Sequence, residues 1–150
     1  MKRSVWIQMA AALLLLAGGC MLDKPGSGSL ASIVIEETPL AQVRSVLLQV
    51  FAEEDYNVAR TSERQIVFER EGTRHDRAKY GRYEERLVMR VIVTLELYKE
   101  SGILLCADAY AVRGESGRAQ KLLYMDHWAY QRLLNRVQEK IPVAADVKEE

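Results

Sequence analysis

Side chains capable of chemistry are few in this 150-residue chain, and their spacing argues against a reaction centre. The two histidines, His75 and His127, stand 52 positions apart, and neither belongs to an H-x-x-x-H or C-x-x-C pattern. Metal sites draw on clustered His, Cys, Asp or Glu, so no metal is expected. Asp126-His127 sets an acid beside an imidazole, but adjacent helical residues do not face each other, and Asp126 reads better as a helix cap. Gly114-Glu115-Ser116-Gly117 follows a strand as a nucleophile elbow would, yet Arg118 stands where G-x-S-x-G needs its last glycine, which leaves a turn. No run supplies the glycine spacing of a phosphate-binding loop. With no nucleophile and base to pair, the expectation is a non-enzymatic protein without a cofactor.

The unusual stretch lies between Arg70 and Arg90, where seven basic residues meet four acidic ones. Tyr80 and Tyr83 are interleaved with them. Gly72 to Arg82 lacks apolar periodicity and is therefore expected to be a long, exposed loop between strands. Arg and Tyr are favoured at interface hot spots. Arg74, Arg77, Lys79, Tyr80, Arg82 and Tyr83 thus form a candidate partner-binding loop for an anionic surface, a phospholipid headgroup or an acidic protein. A solvated connector is the plain alternative. Trp128, next to Tyr130 and near Tyr124, is expected to plug the end of the core.

The elements that must position these residues are legible in outline. Ser32 to Glu36 is a short β-branched stretch and a first strand. Thr38-Pro39 then supplies a helix cap and a proline at the first helical position. Val43, Val46, Leu47, Val50 and Phe51, three and four apart, give one apolar stripe on a helix reaching about Glu54. Tyr56 to Arg60 and Arg64 to Arg70 read as two strands across a turn. Leu87 to Leu97 alternates apolar and mixed residues over its whole length, predicting a long half-buried strand. Glu100-Ser101-Gly102 suits a three-residue hairpin loop with the glycine left-handed, which would pair Leu97 with Leu105, Leu95 with Ala107 and Val93 with Ala109. The alanines would leave a trough in which helices lie. Leu122 to Met125 fits a short strand or the lead-in to a last helix, and the spacing does not decide between them. That helix begins after Asp126, carries Tyr130, Leu133, Leu134, Val137 and Ile141 on one side, and stops at Pro142.

The N-terminus carries a further signal. Lys2 and Arg3 precede an apolar run from Val5 to Ala17, too short to cross a bilayer that needs roughly 20 apolar residues, and Gly18, Gly19 and Cys20 follow. Leu16-Ala17-Gly18-Gly19-Cys20 resembles the lipobox of bacterial lipoproteins, with Leu one place further from the cysteine than is usual. The resemblance implies removal of residues 1–19, a diacylglyceryl thioether on Cys20, and anchoring in a membrane. Met21 rather than Asp after that cysteine implies the outer membrane, facing the periplasm. An ordinary secretory signal with an unmodified Cys20 is the alternative. Residues 20–31, rich in Pro, Gly and Ser, read as a flexible tether, 32–142 as one domain, and 143–150 as a disordered tail. The leader carries Lys2 and Arg3 of the 21 basic residues, so 19 basic face 21 acidic in the remainder, a formal charge of −2. That balance gives no reason to expect nucleic acid as a partner. With Cys20 lipidated, Cys106 would be a lone thiol, expected to be buried and inert.

The element order predicts an α+β fold, an antiparallel sheet of four to five strands with two amphipathic helices on one face. It resembles the helix-grip or half-TBP layout, seen also in envelope lipoproteins such as the BamC family of outer-membrane assembly accessories. The resemblance is one of element order, and no motif carries functional residues across. It implies an envelope protein that binds another envelope component or supports its assembly. The alternative is a carrier of a small apolar ligand, with a pocket between the sheet and the last helix.

Overall fold

The computed structural model describes residues 28–81, 86–114, 118–122 and 126–141. The expected leader, Cys20, most of the tether, Arg82, Tyr83, most of Leu122 to Met125 and the tail beyond Ile141 lie outside the described residues.

Strand β1 (Ala31–Ile35) is followed by helix α1 (Leu40–Ala52). Pro39 is the capping residue rather than the first helical one: its ψ of 140 keeps it extended, and its carbonyl accepts from the Gln42 and Val43 amides at 3.0 and 3.1 Å. Thr38 turns back instead and donates its hydroxyl to the Glu36 carbonyl at 2.9 Å. The helix thus starts one residue later than expected.

The helix closes two residues short of Glu54, in a Schellman motif. Asp55 is left-handed, with φ 61. The Tyr56 amide donates to the Phe51 carbonyl at 3.0 Å and the Asp55 amide to that of Ala52 at 3.1 Å. The accompanying apolar contact is the edge-on Phe51 and Tyr56 ring pair, 5.4 Å between centroids. This turn aims Tyr56 inward at the start of β2 (Asn57–Thr61). Then come β3 (Gln65–Glu71), a short helix α2 (Arg74–Tyr80), β4 (Leu87–Tyr98), β5 (Gly102–Arg113), β6 (Arg118–Lys121) and helix α3 (His127–Lys140).

The fold is α+β, as expected, with one open antiparallel sheet ordered β1-β5-β4-β3-β2. β6 adds a sixth strand to the same edge of β5 as β1: β1 covers Ile103 to Ala107 and β6 covers Tyr110 to Arg113. The β4–β5 hairpin is shifted by two residues from the expected register, pairing Leu97 with Ile103, Leu95 with Leu105 and Val93 with Ala107. Its loop is Lys99 to Ser101, Lys99 takes the left-handed conformation at φ 53, and Gly102 pairs with Tyr98 inside the ladder. A Cβ on Gly102 would stand 2.7 Å from the Tyr98 carbonyl oxygen, so glycine serves close approach there rather than handedness. A shift of two leaves every side chain on its expected face.

Helices α1 and α3 cover the side of the sheet carrying Met89, Val91, Val93, Leu95, Leu105, Ala107, Ala109 and Ala111, all buried. They bury Val43, Leu47, Val50 and Phe51 from α1, and Tyr130, Leu133, Leu134 and Val137 from α3. Phe51 stacks on Phe68 with centroids 4.1 Å apart. The free edge of β1 is closed by α3, since Gln131 accepts from the Ser32 amide at 3.3 Å and donates to the Ser32 carbonyl at 3.0 Å. A side-chain amide thus stands where a further strand would pair.

Candidate functional site

The segment expected as an exposed loop is α2 instead. Thr73 and Asp76 form a capping box: the Asp76 amide donates to the Thr73 hydroxyl at 3.2 Å, and the Asp76 carboxylate accepts from the Thr73 amide at 2.9 Å. The same carboxylate accepts hydrogen bonds from the Thr73 hydroxyl at 2.7 Å and from a guanidinium N–H of Arg70 at 2.8 Å. Seven residues cannot form an apolar stripe, so periodicity missed this helix, while the Thr-x-x-Asp spacing marks its start.

Asp76 is the buried charged residue at the base of a cleft of about 1050 Å³ between α2, the start of α3 and the β2 and β3 ends next to it. Tyr56, Arg70 and Tyr130 make the polar part of its floor, with Met89, Leu122 and Leu133 as the apolar part. The Arg70 guanidinium lies 5.1 Å from the centre of the Tyr56 ring. Burial pushes the Tyr56 phenol upward, against the pull of Arg70. Burial and the neighbouring Tyr56 hydroxyl push Tyr130 well above the ordinary phenol range. Burial alone would raise Asp76, but the donors from Thr73 and Arg70 together outweigh it and hold the carboxyl below its ordinary value. These groups therefore fix the floor in one charge state across the neutral range. None is poised to exchange a proton.

Ion pairs tie the walls together. Lys79 of α2 bonds Asp126 at the start of α3, and Arg136 of α3 pairs with Glu53 at 2.7 Å and with Glu54. Asp126 sits at the cap position of α3, but its side chain makes no capping bond to the helix amides. Of the expected partner-binding residues, Arg74 is exposed, Arg77 pairs with Glu71 at 2.7 Å, Lys79 is held by Asp126, and Tyr80 packs half-buried against the core. Lys79 and Tyr80 line the cleft.

Trp128 does not plug the core. It is 71% exposed at the cleft rim, its ring 4.6 Å from that of His127. The buried stripe of α3 starts at Tyr130, and two residues back along a helix is a rotation of roughly 200°. Cys106 is half-buried on the opposite sheet face, and burial raises its thiol, which keeps it protonated near neutrality. Among the described residues no group of three or more His, Cys, Asp or Glu is arranged to hold a metal, and no helix is long and apolar enough to cross a membrane.

Sequence reasoning missed Tyr56, Arg70 and Tyr130 as site residues. Both tyrosines fit apolar patterns, as strand start and helix stripe, and only their hydroxyls mark them as site-forming. No protein-family model matches this sequence, and no curated protein matches it either.

Proposed function

We propose that this chain is a lipid-anchored, periplasm-facing envelope protein that binds another envelope component or supports its assembly, with the cleft between α2 and α3 as the binding surface. One observation supports a binding surface over a reacting one: charged groups of its floor and walls are engaged in ion pairs, Arg70 with Asp76, Lys79 with Asp126, and Arg136 with Glu54. The anchor rests on Cys20 and the leader before it, and the outer-membrane placement on Met21.

The carrier alternative expects extra volume above the alanines of β5. Ala107, Ala109 and Ala111 are 1%, 1% and 0% exposed, and the cleft opens elsewhere with charged walls, which favours the first reading. The test is a photo-crosslinking residue in place of His75, exposed at the cleft, in intact cells with and without Cys20→Ser. The expected result is one dominant crosslinked envelope component that is lost with Cys20→Ser. Absence of any crosslink, or crosslinks indifferent to Cys20, would contradict the proposal.

A further inference from the structure

The cleft between α2 and α3 has a charge pattern that narrows what it can hold. Five carboxylates and four Lys or Arg side chains line it, together with His75. Three of the cations are held by lining carboxylates, Arg70 by Asp76, Lys79 by Asp126 and Arg136 by Glu54, while Glu71 is held by Arg77 from outside the cleft. Asp55 and Arg132 stand outside those pairs and are of opposite sign. The lining is therefore highly polar and close to electrically balanced. Against it stand two aromatic rings, Trp128, 71% exposed at the rim, and the half-buried Tyr80.

We propose that the cleft takes an uncharged oligosaccharide, with the face of one sugar ring stacked on Trp128 and its hydroxyls bonded by the paired side chains of floor and walls. This rests on the reading of the cleft as the surface that meets an envelope component, and it gives that component a chemistry. A charged ligand would meet both signs at once and gain little from either. An apolar one would strip water from the charged walls and offer no hydrogen bond in return. A sugar hydroxyl both donates and accepts, and a carboxylate or guanidinium already in an ion pair keeps lone pairs or N–H groups to offer it. The C–H face of a sugar ring is apolar and suits an exposed indole, and Arg132, one helical turn beyond Trp128 on the same side of α3, adds donors next to it. A polypeptide is served less well, since an extended one needs a free strand edge and a helical one an apolar groove. The walls here are charged helices whose backbone groups bond within their own turns, β3 is paired on both sides, and of the edge strand β2 only Asn57 reaches the cleft. At about 1050 Å³ the cleft matches the largest pockets that take drug-sized ligands, roughly 300–1,000 Å³, and so suits a short chain of sugars rather than one ring.

The test is calorimetric titration of the full chain, purified from cells, with maltotriose, cellotriose and tri-N-acetylchitotriose. Saturable binding of at least one of them is expected. Trp128→Ala should weaken it about tenfold with melting unchanged. Leu97→Ala, which removes an exposed side chain outside the cleft, should leave it intact. Binding of none of the three, or binding that Trp128→Ala does not affect, would overturn the oligosaccharide. In parallel, the product crosslinked in cells from position 75 is digested with protease. An adduct of carbohydrate composition is the expected result. A peptide adduct would overturn the oligosaccharide and leave the cleft standing as a binding surface, whereas no adduct at all would overturn both.

Discussion

Among single residues, Asp76 carries the most structure for its size. Its carboxylate starts α2, fixes Thr73 and holds Arg70 beneath Tyr56. Replacing it with Asn weakens the charge-assisted bonds that a buried carboxylate makes to half-buried Arg70 and to Thr73, and we expect a loss of about 1–3 kcal/mol in chemical denaturation. The folded carboxyl titrates below the unfolded one, so its contribution is complete above about pH 3.9 and disappears as pH falls through the lower folded value. Asp76→Asn should therefore flatten the acid limb of the stability curve and leave the alkaline limb alone. The phenols act at the other extreme. Tyr56 and Tyr130 are raised in the fold, so their contribution holds below about pH 10 and is lost as pH climbs toward the folded values. Phenolate absorbance should then show two tyrosines ionising only as the protein unfolds in alkali, and a titration in which every tyrosine ionises while the fold persists would refute this packing. Trp128→Ala should change stability by less than about 0.5 kcal/mol, since the ring is exposed, while Leu134→Ala, wholly buried, should cost about 2–5 kcal/mol.

The elements differ in how openly the sequence announces them. β4 alternates from Leu87 to Leu95 with one face buried, and α1 and α3 each repeat apolar residues at three and four, so burial on one face makes all three readable. α2 and β6 bury almost nothing of their own: Asp76 is the buried residue of α2, and all four residues of β6 are exposed. What places them is a capping box in one case and, in the other, the length of β5 that β1 leaves unpaired. Neither leaves a periodic trace. The hairpin register differs from the expected one for another reason: glycine is the usual residue to turn left, but here Lys99 does so and Gly102 lies against a carbonyl. Gly102→Ala should accordingly cost about 1–3 kcal/mol through that contact. At the end of α1, Asp55→Gly relieves a left-handed Asp and should stabilise by up to about 1 kcal/mol, readable as a rise in Tm. The cleft was only half legible: Lys79 and Tyr80 come from the basic stretch singled out in the sequence, but the tyrosines and Arg70 meet only once the Schellman turn and α3 have folded.

In the whole molecule, one sheet is sealed on one face by two helices and at one edge by Gln131. The interior thereby has a structural task, and the proposed binding surface lies at the end where α2 and α3 approach each other. Lys79 and Asp126 bridge the two helices there, while Arg136 and Lys140 tie α3 to the end of α1. Because the bridging pairs are near the surface, added salt should weaken them without unfolding the core, and protection of α2 amides in hydrogen exchange should fall before that of β4 and β5. In the proposed reading, attachment to a membrane would give this cleft a fixed address, and everything proposed for it depends on position 20. The most direct measurement is the mass of the N-terminal peptide from protein recovered in cell membranes. The account predicts a chain that begins at Cys20 and carries a diacylglyceryl group. A peptide still bearing residues 1–19, or beginning at an unmodified Cys20, would contradict it.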